Sequence, residues 1–418
     1  MSSPGHRPSG AIADRAIVRQ VHPEILAAII SLFPFTIYST FVVAIAEGAG
    51  EQESVVGALR GVGGVAAILA GVSLAPLLGR IPGRSAAAVG LALLSLTCAI
   101  GSLGTMPALW VFCLGIGAST AVLTPVLLTS AAGSFAGPGD AARAATIVTA
   151  AQSLAAVMAG PVIGLMSRWQ GWQGALWITA ASALVIGLLG LRVPPSRRGE
   201  TGPARPPGYL RAFAVVVARP QLLALIAVAG LRTTSFMGYL AFLAVHFHRA
   251  FAIDAATFTL VWSLSGASFF AANYLAGRWA RRAADSPGAV RALILTGLLP
   301  ALAAVLVVFT TSDLVVALAA TVVMGFGHAM IAAQVTTLVT RRSGDQAATV
   351  FSLNGAAMSV GVFAGAGLGG LGLHLGGTPG IGVALAVPMV IAAVLLPLAV
   401  PRTGTDTVID PPEERSGR

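Results

Sequence analysis

Along this chain the apolar residues neither alternate nor form a stripe. They run on for about twenty positions at a time, and short stretches holding Arg, Pro, Gly and the few acidic residues separate the runs. Such a run predicts a bilayer-crossing helix, because about 20 residues rising 1.5 Å each match a hydrocarbon layer of ~30 Å. Twelve runs are read: 24–46, 54–78, 85–103, 109–132, 144–166, 172–191, 221–245, 256–276, 293–310, 314–339, 347–373 and 381–400. The stretch 194–207, rich in Pro, Gly and Arg, has no apolar period and divides the twelve into two sets of six. The expected organisation is a tail (1–22), a six-helix bundle (23–193), a linker (194–219), a second six-helix bundle (220–400) and a tail (401–418). Within the linker, 209–218 reads as a short amphipathic segment lying on the membrane surface.

Composition supports this reading. The chain is 56% hydrophobic and only 10% charged, with a mean hydropathy of +0.86, and a soluble protein needs more charge to solvate its surface. A transmembrane β-barrel is set aside because it would alternate apolar and polar positions in segments of about ten residues. The net charge of +10 raises the question of nucleic acid, but all 25 cations are arginine and they sit between the apolar runs. The positive-inside rule explains them better. It places the arginine-rich ends of the spans, and both termini, in the cytoplasm and leaves only Arg168 and Arg249 outside. The two cysteines, Cys98 and Cys113, lie within apolar runs as packed thiols, and no cofactor or metal set is expected. Arginine in place of lysine with abundant Ala and Gly suggests a GC-rich bacterial genome, hence the inner membrane.

The two halves repeat one another. The loop after span 2 carries Arg80, Gly83 and Arg84, and the loop after span 8 carries Leu275, Ala276, Arg278, Arg281 and Arg282. Gly115 and Gly117 of span 4 answer to Gly325 and Gly327 of span 10, while Gly160 and Gly164 of span 5 answer to Gly361, Gly365, Gly369 and Gly370 of span 11. Small residues at this spacing let helix backbones approach closely. With its loop motif, this layout resembles the major facilitator superfamily over nearly the whole chain. The resemblance implies an all-α integral membrane protein of twelve transmembrane helices in two pseudo-symmetric six-helix bundles, working as a monomer.

The motif's acidic member is missing from both copies, Gly79 and Gly277 standing in its place. Asp140 and Asp345, at the starts of spans 5 and 11, are the substitutes for a cytoplasmic gate with Arg80, Arg84, Arg278 and Arg281. Exposed loop ion pairs of little energetic weight are the competing reading. Gly160-Pro161-Val162-Ile163-Gly164 resembles the signature of exporters and antiporters in the drug- and sugar-efflux branch, although Ala156 and Val111 depart from that branch. The same Gly-Pro pair would also serve simply to kink and pack a helix.

Ionisable residues at mid-membrane are costly, so each is a functional candidate. Arg232 lies about eleven residues into span 7, roughly 16 Å deep. Ser235, Phe236 and Tyr239 share its helical face, and with it they form the expected substrate-binding stripe, continued towards the outer end by Leu243 and His246. Phe35 and Tyr38 of span 1 are expected to form the facing wall, with Arg60 of span 2 as a second cation. His328 of span 10 is the proton-coupling candidate. No Asp or Glu falls at mid-depth, which disfavours cationic cargo. Two functions remain. One is a secondary transporter of a small neutral or anionic solute, reading as proton-coupled efflux with anion uptake or exchange as the alternative. The other is a membrane enzyme or assembly factor, for which the usual clusters of catalytic residues are missing.

Overall fold

The computed structural model describes residues 13–78, 81–135, 137–192, 217–283, 286–344 and 347–401. These residues form helices joined by short turns, with no strand among them. Most of the expected linker, the segment 209–218 with the exception of 217 and 218, and both distal tails lie outside the described residues. Among the described residues, eleven helices are long and apolar enough to cross a membrane. The last, 51 residues from Thr349 to Ala399, spans roughly 76 Å of helix, more than twice the hydrocarbon thickness. It is two spans joined at Gly376 and Gly377, where the backbone leaves helical geometry and Gly377 takes φ 62°. The turn stays tight because Gly372 and Gly380 have no side chains, a Cβ on Gly380 standing 2.1 Å from the Gly372 carbonyl oxygen. Twelve crossings result.

Span 1 is not one helix. It is laid down as His22–Ile30, Phe33–Thr40 and Val42–Ala49, preceded by a short surface helix, Asp14–Gln20. Pro34 supplies no amide to the preceding turn, and the hydroxyls of Ser31 and Thr36 bond the carbonyls of Ala28 and Leu32. Span 2 breaks at Arg60 between Glu53–Leu59 and Val62–Leu78, beside Gly61, Gly63 and Gly64. Spans 3 to 6 are Gly83–Gly101, Met106–Gly133, Pro138–Met166 and Gly171–Arg192. Spans 7 to 10 are Pro220–Phe251, Ala255–Ala283, Pro287–Thr310 and Leu314–Ser343. Span 7 outruns its apolar run by about a turn and a half, because a helix continues past the hydrocarbon edge until something stops it. Here Ala252, at φ 53°, ends it.

Packing repeats between the halves through the glycines. A Cβ on Gly117 of span 4 would sit 2.0 Å from the Gly63 carbonyl oxygen of span 2, and one on Gly325 of span 10 would sit 2.9 Å from the Ser265 carbonyl oxygen of span 8. Across the two bundles, span 2 lies on span 11 and span 5 on span 8. Gly64 approaches the Ser359 carbonyl oxygen (2.3 Å from an added Cβ), Gly160 that of Thr259 (2.0 Å) and Gly266 that of Ala156 (2.7 Å). These meetings lie between mid-span and the arginine-poor end. Towards the arginine-rich end, Gly71, Gly277 and Gly355 on the same helices have open space beside them. The bundles therefore close against each other at the arginine-poor end and diverge at the other.

Candidate functional site

Span 7 presents two chemically different faces. Gly230, Thr234 and Gly238 press on span 11, where a Cβ on Gly361 would meet the Gly230 carbonyl oxygen at 2.6 Å and one on Gly365 the Thr234 carbonyl oxygen at 2.1 Å. With that face fixed, the stripe of Arg232, Ser235, Phe236 and Tyr239 turns into the second bundle towards spans 8, 9 and 10. Phe236 stacks on Phe269 of span 8 at 5.5 Å and on the His328 ring of span 10 at 4.8 Å. Tyr239 meets Phe309 of span 9 edge-on at 6.2 Å.

Arg232 is 6% exposed. Its Nη2 donates to the Thr233 hydroxyl at 3.1 Å, which donates in turn to the Ala229 carbonyl at 2.8 Å. No carboxylate among the described residues pairs with it. Even on the milder scales, an arginine at the centre of a membrane helix costs about 2.5–3.5 kcal/mol, so its place on the inner side of the helix is an energetic necessity. His328 is fully buried and lies within electrostatic reach of Arg232. Neither of its ring nitrogens has a protein partner, and the same holds for Ser235 Oγ, Tyr239 OH, Thr321 Oγ1 and both ring nitrogens of His246. A buried polar atom left without a partner costs about 1–3 kcal/mol. Several in one bundle point to a polar interior made to hold something.

The first bundle carries the other arginine. Arg60 sits at the break in span 2, 6% exposed. Its Nη1 donates to the Met237 carbonyl of span 7 at 3.1 Å, a bond from one bundle to the other. Its guanidinium lies 5.4 Å from the centre of the Phe35 ring. Tyr38 stacks on Phe112 at 5.7 Å and donates its hydroxyl to the Val56 carbonyl at 2.8 Å. Phe35 and Tyr38 were expected to face Arg232. They surround Arg60 instead, since Gly63 opens a slot that takes the Phe35 ring and Tyr38 satisfies its hydroxyl within its own bundle. The sequence candidates thus separate into two clusters.

The gate candidates divide as well. Arg80 and Asp345 and the side chain of Arg281 lie outside the described residues. Asp140 pairs with Arg143, three residues on in its own helix, at 3.0 Å, and Arg143 also pairs with Asp14 of the surface helix. Arg278 lies over the Tyr274 ring at 4.7 Å. Asp140 and Arg278 do not meet, because the bundle ends that carry them are apart. Gly160 and Gly164 lie at the seam between bundles, Gly164 approaching the Thr259 hydroxyl oxygen (3.2 Å from an added Cβ), while Pro161 is exposed.

One feature escapes the sequence reading. Glu53 of span 2 and Arg249 of span 7 form an ion pair across the bundles at the arginine-poor rim, 2.7 Å apart. Both residues end up on the same face once the spans are counted, but nothing in the sequence pairs them. His246, which spacing puts at the outer end of the Arg232 stripe, has its ring 5.7 Å from Phe309 and 5.6 Å from Phe251.

Comparison with known proteins gives a consistent picture. A family model described as Major Facilitator Superfamily matches residues 25–349 and again 242–418. Among solved structures, a bacterial homologue of the human lysosomal transporter Spinster, inward-facing and unoccupied, superposes with a TM-score of 0.71 at 18% identity, covering 93% of this chain and 96% of that one. The nucleoside transporter NupG gives 0.72 at 14% identity, covering 91% and 97%. The human organic anion transporter MFSD10 (TETRAN) gives 0.60 at 18% identity, covering 92% and 100%. At these identities the likeness is one of fold. No curated protein matches the sequence.

Proposed function

The chain belongs to the Major Facilitator Superfamily, and from that membership we propose a secondary active transporter that moves a small neutral or anionic organic solute by alternating access, working as proton-coupled efflux. The arginine-rich face is cytoplasmic in this reading, by the positive-inside rule. The arrangement described above, closed at the arginine-poor end, is then the state open to the cytoplasm of a bacterium whose inner membrane holds the protein. Alternating access needs the bundles to part at one end while they meet at the other. Their glycine seams suit that motion.

The observation that carries the choice of cargo is Arg232. It is a buried guanidinium at mid-span without a carboxylate partner among the described residues, and it offers charge-assisted hydrogen bonds to a carboxylate, phosphate or carbonyl. His328 beside it supplies a group able to take up and release a proton. Uptake or exchange of an anion is the second reading, favoured by the second buried arginine, Arg60, whose Nε has no partner.

Metabolite profiling of cells with and without the protein names the cargo. Flux of that compound through reconstituted vesicles then tests its handling. Arg232→Ala is expected to lower flux at least 100-fold, and flux is expected to follow an imposed pH gradient. A cationic cargo, or Arg232→Ala transporting like the parent, overturns the proposed recognition. Flux indifferent to the gradient removes the proton.

A further inference from the structure

The second bundle holds a file of buried polar groups that continues from the proposed cargo stripe to the arginine-poor end. On span 7 it follows the helical face of Arg232, Ser235, Tyr239 and His246, a run of 14 residues or roughly 21 Å from mid-span to the arginine-poor end. Ring contacts trace the same line. His328 lies 4.8 Å from Phe236, Phe236 6.0 Å from Tyr239, Tyr239 6.2 Å from Phe309 and Phe309 5.7 Å from His246. The Tyr239 hydroxyl lies against the hydroxyls of Thr321 of span 10 and Ser265 of span 8, without the geometry of a well-formed bond. Ser235, Tyr239, Thr321, His246 and His328 are all buried, and each has a polar atom without a protein partner. Four different helices contribute to the line, so it is a property of the bundle's packing.

Buried polar atoms in native proteins are bonded either to protein or to ordered water. We propose that water threads the interior of the second bundle along this line, and that it carries protons between the arginine-poor face and His328, beside the cargo site at Arg232. This rests on the proton-coupled reading above. A proton bound to a ring nitrogen of His246 enters the file, each water or hydroxyl passes on one of its own protons, and the last is accepted by a ring nitrogen of His328. Nothing is oxidised or reduced. Arg232 and Tyr239 flank the path, and His248 and Arg249 follow His246 in the helix at its outer end.

Nuclear magnetic resonance of the full-length protein in lipid bilayers, labelled with ¹⁵N at histidine, tests the route through exchange of the His328 ring proton with bulk water. Fast exchange is expected in the parent despite complete burial, slowed at least tenfold by His246→Phe and several-fold by Tyr239→Phe, which removes a single oxygen. The exposed ring of His374 is the control and should exchange alike in all three. If His246→Phe does not fold, Tyr239→Phe alone decides. Exchange at His328 unchanged in the variants, or undetectable in the parent, overturns the route. The outcomes also separate the two readings. Flux indifferent to a pH gradient together with His246-dependent exchange would remove the coupling and keep the water file. Gradient-driven flux with exchange indifferent to His246 would do the opposite.

Discussion

Each half of the molecule buries one arginine near aromatic rings and a tyrosine, and the two neighbourhoods treat them in opposite ways. Around Arg60 the polar groups are mostly spent: Arg60 bonds Met237, Tyr38 bonds Val56, and Ser39 Oγ is left over with the Arg60 Nε. Around Arg232 the tyrosine, a serine, a threonine and two histidines have unpartnered atoms. The first neighbourhood is built to hold the bundles together, while the second is built to receive something. A buried arginine on its own does not distinguish these roles. Its neighbours' unused hydrogen-bonding capacity does.

That contrast can be broken experimentally. Its sharpest consequence is that the two arginines fail differently. Arg60→Met removes a charge-assisted bond between bundles worth about 1.5–3 kcal/mol, so the balance between the two access states should move about tenfold or more towards opening at the arginine-poor end. Spin-label distances between spans 2 and 11 would report it. Arg232→Met should leave those distances in place while abolishing flux, and the reverse pattern would exchange the roles of the two sites. A smaller effect concerns hydration. Tyr239 and Tyr38 are both nearly inaccessible, at 0% and 2% exposure, yet hydroxyl-radical footprinting should modify Tyr239 several-fold faster, because only its hydroxyl needs water. Equal rates would erase the distinction between the bundles.

The smallest effect lies outside both neighbourhoods. Asp254 caps span 8, and the Thr257 hydroxyl together with the Thr257 backbone amide, 3.0 Å away, holds its carboxyl below the ordinary range. A lowered folded-state value means that the stabilisation is present above the unfolded carboxylate pKa and is lost as pH falls through the folded one. Melting curves should show Asp254→Ala losing about 1 kcal/mol near neutral pH and converging with the parent in acid.

Much of the fold was legible because lipid forbids polar interruptions, so the apolar runs count the crossings directly. The breaks in span 1 and the joining of spans 11 and 12 were not read. Pro34 and the Gly376-Gly377 pair mark them in the sequence, but hydropathy averages over such points. Of the site, Arg232, Arg60 and His328 stand out as ionisable groups in apolar surroundings. Their partners do not stand out, because a bond such as that from Arg60 to Met237 ends on a backbone carbonyl, which every residue possesses. Phe35 and Tyr38 were assigned to the wrong neighbourhood for a related reason. A helix that is apolar all round does not reveal which side faces its own bundle, and only the missing side chain of Gly63 fixes the Phe35 ring.

Where Gly64 and Gly266 meet the opposing helix, chain rests on bare chain, and at Gly160 only the small Ser263 side chain joins the contact. Such a surface behaves as a bearing. Parting it forfeits only weak Cα–H contacts and dispersion, so the barrier to each stroke is set by the few discrete bonds elsewhere at the interface, and the turnover speed of the machine can be tuned at those bonds without rebuilding its walls.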